Sequence, residues 1–340
     1  MDTRAINILN AGLIVFSLLL ACIIPFELFL FSYAVLGPLH YLTEINWLND
    51  RNYFVKSKRY VIILVAFAAL LSLPFLLHLP LLHSLKQTAL GSRILYYSQK
   101  MSGYMVFISL IFSIGLIYFK KWQHVGLYFV FASLLSFIVI KYLPVYALFL
   151  AMFIPTLIHV YLFTLLFMIY GTLNDKGQSG WLAIILLLLC PFVVMLLPVD
   201  AANYVVSEPV QSTYTANNFN RVKYGIAGFL HLKERNASFD LGSVAGIKIQ
   251  VFLAFAYTYH YLNWFSKTSI IGWGKNLQRN KVLIILGFWI LSMGLYYYNF
   301  RTGLLALFFL SLLHVFLEFP LNIHSVKGIF YSLVKGKARL

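Results

Sequence analysis

Four histidines lie inside hydrophobic stretches of this chain. They are His40 in FSYAVLGPLHYLTEINW, His159 in AMFIPTLIHVYLF, His260 in FLAFAYTYHYLNWF and His314 in FFLSLLHVFLEFPLN. An unpaired polar group in an apolar medium costs roughly 2–7 kcal/mol, so each imidazole needs a partner. Neutral imidazole ligates iron, zinc and copper well. A metal gives each ring nitrogen a partner that lipid cannot supply. Ionisable groups at membrane depth are therefore candidates for function, and four in one layer point to a metal centre with His40, His159, His260 and His314 as ligands and catalytic residues. Two of them are followed, four residues on, by a carboxylate: His40 by Glu44 and His314 by Glu318. That spacing sets each pair on one helix face. A glutamate there could ligate a metal, or accept a hydrogen bond from the distal nitrogen of a ligand histidine and fix its tautomer. Asn263 shares the face of His260, and Thr156 that of His159, which makes Glu44, Glu318, Asn263 and Thr156 the expected supporting set. Other roles suit these residues too. An intramembrane histidine is often a polar contact between helices, and Glu44 and Glu318 both stand near helix ends. His78, His83, His124, His231 and His324 fall near helix ends or loops and are left out of the site.

The pattern bears on the kind of centre. Bis-histidine haem sites in a helix bundle place two histidines on each of two helices, at different depths. Here there is one per helix, which favours a compact metal centre. The HxxxH and HxxHH boxes of desaturase-type dinuclear sites are absent. Aromatics crowd the histidines: Tyr41, Tyr161, Tyr257, Tyr259, Tyr261, Trp47 and Trp264. Such walls suit a long apolar substrate, and serve equally as helix packing or an interfacial belt.

The elements that carry these residues are membrane helices. The chain is 61% hydrophobic and only 11% charged, with a mean hydropathy of +0.83. Without a bilayer, so much apolar surface could not stay in solution. Apolar runs near the roughly 20 residues of a span predict an all-α, polytopic bundle of about ten helices. These are 8–24, 28–47, 60–79, 101–119, 122–141, 144–170, 181–198, 242–265, 282–299 and 303–321. Residues 83–100 are more polar and read as a loop or a surface helix. The expectation is one transmembrane domain over 1–340, with an extracytoplasmic loop at 200–241. Arg51, Lys56, Lys58 and Arg59 follow the second helix, and Lys120 and Lys121 the fourth. Lys176 follows the sixth, Lys267, Lys275, Arg279 and Lys281 the eighth, and Lys327, Lys335, Lys337 and Arg339 the tenth. Connections on the other side carry fewer basic residues. By the positive-inside rule both termini are then cytoplasmic, as in an integral protein of a bacterial inner (cell) membrane. The four histidines ride on helices two, six, eight and ten, which all run the same way. Each lies about 11–18 residues into its helix, or roughly 17–27 Å into a core about 30 Å thick.

The net charge of +16 does not imply nucleic acid, because the basic residues gather beside the apolar runs, where a juxtamembrane fringe faces lipid headgroups. Cys22 and Cys190 lie within apolar runs and read as small core residues without a disulfide. Leu19-Leu20-Ala21-Cys22 is a poor lipoprotein box, since another apolar run follows it. Asn236-Ala237-Ser238 is a formal glycosylation sequon with no function attached. No P-loop or GxGxxG pattern is present.

Gly37-Pro38-Leu39-His40-Tyr41-Leu42-Thr43-Glu44 resembles the opening motif of the Brp/Blh family, polytopic membrane β-carotene 15,15'-dioxygenases that make retinal. In that family a G-x-x-H motif is followed, four residues beyond the histidine, by an acidic residue, usually aspartate. The resemblance covers short patches around the histidines. Tyr41 stands where the family has glycine, and Glu44 where it has aspartate. The resemblance implies a non-haem Fe(II) held by four imidazoles, with His159, His260 and His314 as the later ligands and an open position for O₂. It further implies an apolar tunnel open to the bilayer, in which a carotenoid dissolves.

Three other functions compete with oxidative carotenoid cleavage. A dinuclear lipid hydroxylase or desaturase would use Glu44 and Glu318 and hold two metals. A transporter would use the histidines as a proton relay or substrate site, and would show inverted repeats with broken helices. An acyl-transfer enzyme would need one histidine and leave three unexplained.

Overall fold

A computed structural model describes residues 2–175, 179–204, 206–232, 242–267, 272–273 and 278–335. The described residues are all-α, with no strand. The long helices are α1 (Thr3–Ile23), α2 (Pro25–Phe31), α3 (Gly37–Asp50), α4 (Val61–Leu76), α5 (Ala89–Tyr118), α6 (Trp122–Tyr142), α7 (Pro144–Phe153), α8 (Thr164–Asn174), α9 (Trp181–Leu196), α10 (Glu208–Ala216), α11 (Asn220–Phe229), α12 (Val244–Ser266), α13 (Arg279–Tyr298) and α14 (Phe300–Lys335).

Long apolar runs become helices because a helix pairs its own backbone groups where no water can. Eight helical stretches are long and apolar enough to cross a membrane: Thr3–Ile23, Pro25–Asp50, Lys58–Leu76, Ala89–Tyr118, Trp122–Tyr142, Leu150–Asn174, Arg279–Tyr298 and Phe300–Val334. The other two anticipated spans are helical as well. Trp181–Leu196 is apolar but only 16 residues long. Val244–Ser266 has 23 residues and a more polar sequence. Starts are set by local chemistry. The side chains of Asp2, Thr88 and Ser243 accept from Ala5, Gly91 and Gly246 N–H groups, satisfying donors that a helix start leaves open. Pro25 and Pro144 occupy first turns, where a missing N–H costs nothing.

Residues 83–100, expected as a loop or a surface helix, are helical over His83–Gln87 and again from Ala89, where they form the first turns of the 30-residue α5. Helical hydrogen bonding continues there because nothing in YYSQKMSG breaks it, and the exposed polar side chains cost nothing at a helix end. Residues 200–241, expected as an extracytoplasmic loop, are partly helical. They contain α10 and α11, whose apolar faces are buried through Tyr214, Ile226 and Ala227. The sequon at 236–238 and Lys176, Lys275, Lys337 and Arg339 lie outside the described residues.

The chain divides into two compact units. The first comprises Met1–His40, Thr156–Val282 and Gly328–Leu340, and the second Tyr41–Pro155 and Leu283–Lys327. In the first unit α12 is the central element, buried along nearly its whole length with Phe255 and Ala254 at 0% exposure. It packs on α1, α2, α9 and α11. Buried polar bonds fix the register: Ser32 to Thr258 at 2.7 Å, and Gln250 to both the Pro25 carbonyl (3.0 Å) and the Tyr214 hydroxyl (2.6 Å). Asn10 joins α1 to α12 through Ser266 (3.1 Å) and Tyr259 (3.4 Å). In the second unit α4, α5 and α6 pack in sequence. Phe75 stacks on Phe308 at 3.9 Å, and the Lys56 N–H donates to the Leu116 carbonyl.

Two wide turns interrupt the regular helices. Residues Ser32–Leu36 form a π-helical turn between α2 and α3, and Ile154–Phe163 a longer one between α7 and α8. Pro38 and Pro155 each lack an N–H to donate to the carbonyl four residues back, so the α-ladder cannot run through. π-turns of this kind recur at functional sites. Here His40 follows one, and His159 lies within the other.

Candidate metal centre

Three of the four histidines belong to the first unit, and the fold brings them together. His40 projects from α3, His159 from the π-turn and His260 from α12. Their exposures are 1%, 2% and 6%. His260 Nε2 lies 3.1 Å from His40 Nε2. The His159 and His260 rings are 4.8 Å apart, and a ring nitrogen of His159 comes within 4.8 Å of one of His40. Each imidazole thus turns an edge toward the same small volume.

The orientation of His260 has a local cause. Thr164 Oγ1 lies 3.0 Å from the Val160 carbonyl and 2.8 Å from His260 Nδ1. Both contacts are satisfied together only when the hydroxyl proton goes to Val160 and the Nδ1–H of His260 donates to the hydroxyl oxygen. His260 then carries its proton on Nδ1, and its Nε2 presents a bare lone pair toward His40. This is the second-contact arrangement that sets tautomer and ring direction in metal-ligating histidines. The residue set fits a metal on the same grounds. Once His40 Nε2 gives up any proton it shares with His260, the two ring nitrogens 3.1 Å apart can both reach one ion at the roughly 2.0–2.1 Å typical of imidazole ligation.

Tyr261 and Trp264 wall the site, with ring centroids 5.2 Å and 5.6 Å from that of His40. Gly37, the first residue of the GPLH stretch, lets Tyr261 approach. A methyl group on Gly37 would meet the Tyr261 hydroxyl at 3.2 Å.

The remaining expected residues divide between the two units. His314, Glu44 and Glu318 belong to the second unit. There the His314 ring lies 5.8 Å from that of Tyr41. Glu318 is buried with Asn322 beside it, close enough to Glu44 for the two carboxyl groups to feel each other's charge. Asn263 faces Tyr259 (3.5 Å) in the polar cluster that also holds Asn10. Thr156 is half-buried at the start of the wide turn. Thr164, a threonine outside the expected set, bonds a histidine. It stands 96 residues from His260 in the chain, so no spacing pattern could have paired them. Of the aromatics, Tyr161 donates to the Leu187 carbonyl at 2.7 Å and anchors the wide turn to α9. Tyr259 points to Met168 and Asn10 rather than to a histidine.

No family model, no curated protein and no solved structure matches the chain.

Proposed function

We propose that the chain is a membrane-embedded non-haem iron oxygenase that cleaves a lipid-soluble conjugated substrate, with a carotenoid such as β-carotene the leading candidate and retinal the product. The observation that carries this reading is the convergence of His40, His159 and His260, with the His260 lone pair held inward by Thr164. The reading takes His314 as the fourth ligand, on the depth and helix direction argued from the sequence, and both termini as cytoplasmic.

When bound, Fe²⁺ would supply the activation of O₂. The chain's own contributions are orientation and exclusion. Thr164 keeps His260 in one tautomer, so no proton has to leave Nε2 before a cation binds. Burial of the three rings removes competing water. The walls of Tyr261 and Trp264 present flat apolar faces, against which a conjugated chain can lie with one double bond fixed. The substrate arrives from the bilayer in which it dissolves, together with O₂.

The test is expression in cells that accumulate β-carotene. Loss of colour with a gain of retinal supports the reading. Unchanged carotene with folded, iron-replete protein removes carotenoid cleavage. Full activity in the His260→Ala variant removes the site.

The buried Glu44–Glu318 pair in the second unit favours a second reading, a dinuclear lipid hydroxylase or desaturase in which these carboxylates serve a further metal. Metal analysis of purified protein separates the two. One iron per chain supports the first reading, and two support the second.

A further inference from the structure

Lys223 is a buried amine that the proposed reaction does not use. It lies on α11 with 1% exposure, among the largest fully buried side chains of the protein. Its Nζ stands over two aromatic faces, 4.6 Å from the Phe26 ring and 5.2 Å from that of Tyr214. Among the described residues no carboxylate pairs with it. The Tyr214 hydroxyl is already engaged by Gln250 (2.6 Å) and the Phe26 carbonyl (3.3 Å). Burying an ammonium without a counter-ion is costly. Burial accordingly lowers its pKa to about 8, which leaves about a tenth of it as neutral, nucleophilic amine at pH 7.

The surroundings connect this amine to the histidines. From Tyr214 the rings continue through Phe29 (5.8 Å) and Tyr257 (5.1 Å) to Tyr261 (6.3 Å), and Tyr261 touches His40 at 5.2 Å. All belong to the first unit. These rings are buried and packed on one another, and a conjugated chain that parts them would have one end at the imidazoles and the other beside Lys223.

We propose that Lys223 captures a long conjugated aldehyde as an imine. The inference rests on the oxygenase reading, in which cleavage of one double bond by O₂ yields two carbonyl compounds: R–CH=CH–R′ + O₂ → R–CHO + R′–CHO. The capture step is R–CHO + H₂N–Lys223 → R–CH=N–Lys223 + H₂O. The amine nitrogen attacks the carbonyl carbon, the C=N bond forms, and the carbonyl oxygen leaves as water. No change of oxidation state is involved. The imine would hold the aldehyde out of the bilayer until it is handed on by hydrolysis or exchange.

The experiment supplies the aldehyde directly. Detergent-purified full-length protein is incubated with all-trans-retinal and sodium cyanoborohydride, and modified lysines are located by peptide mass spectrometry. Label on Lys223 at least tenfold above that on exposed lysines is the expected result. Label spread evenly over exposed lysines, or concentrated on Lys267 instead, overturns the proposal. Lys223→Arg keeps the cation over the two rings but cannot form an imine. It should stay monodisperse by size exclusion and lose the selective label. Iron-depleted protein and the His260→Ala variant should label as wild type does, because the step needs no metal. Failure of the oxygenase reading would show as unchanged β-carotene with Lys223 still labelled. Failure of this inference would show as carotene cleavage with Lys223 unlabelled.

Discussion

Thr164 and His260 meet at 2.8 Å across two helices, and that bond decides which nitrogen of His260 faces His40. Replacing Thr164 by valine keeps the volume and removes the acceptor. The ring could then take either tautomer, and its buried Nδ1–H would lose its partner. We predict that Thr164→Val still binds iron, with affinity or turnover reduced about 10–100-fold, the usual range for such supporting contacts. Wild-type iron affinity and rate in the variant would contradict the assignment. Thr164→Ser should keep most of the function, since its hydroxyl can still accept from Nδ1.

Ligand removal should act on metal and stability together. An ion that binds only the folded state raises stability by RT ln(1 + [L]/Kd), about 2.7 kcal/mol at a hundredfold excess over Kd. Adding Fe²⁺ anaerobically to purified wild-type protein should therefore raise its Tm, and a chelator should reverse the shift. His40→Ala and His260→Ala should fold, lose the Fe²⁺-dependent shift and fail to cleave substrate. An Fe²⁺ shift undiminished in both variants would dissociate these histidines from metal binding.

Glu318 is buried beside Asn322 and senses Glu44. Glu318→Gln preserves shape and removes charge. We predict that this variant keeps its iron and loses rate by roughly tenfold or more, as expected of a group that tunes a ligand. If the dinuclear reading holds, iron per chain falls from two to one instead. Metal analysis of the variant distinguishes these results.

Gln250 ties α12 to both α2 and α10 through the Pro25 carbonyl and the Tyr214 hydroxyl. Gln250→Leu leaves two buried oxygens short of a donor, at a cost of about 1–3 kcal/mol for each unsatisfied group. The expected outcome is a lowered Tm with unchanged iron content, read by thermal denaturation in detergent. A Tm equal to wild type would show that water takes over the contacts.

The proposed orientation is checked by labelling single cysteines. A cysteine replacing Asp2 should react only from the cytoplasmic side, and one replacing Gln211 only from the opposite side. Labelling of both from one side would overturn the topology.

Much of this architecture is legible in the sequence because a membrane helix satisfies its own backbone, so an apolar run of span length suffices to specify one. The all-α class and the ten helical segments follow from that local rule. So does the presence of His40, His159 and His260 on separate helices, as one per apolar run can be read by eye. At residues 89–100 polarity left loop and surface helix open, and the helix prevails for a local reason: polar residues with good helix propensity extend a helix beyond its apolar part. What only the tertiary structure decided are relationships between distant residues. Thr164 meets His260 across 96 residues of chain, and no spacing within one helix encodes that pairing. Asn263 turns to Tyr259 and Asn10 because α1 packs against its face of α12. Lys223 looks like an ordinary solvated lysine in a polar segment. It is buried over two rings because α11 folds back onto α2 and α12. Burial depends on which faces meet, and that is a property of the packed helices rather than of any one stretch of chain.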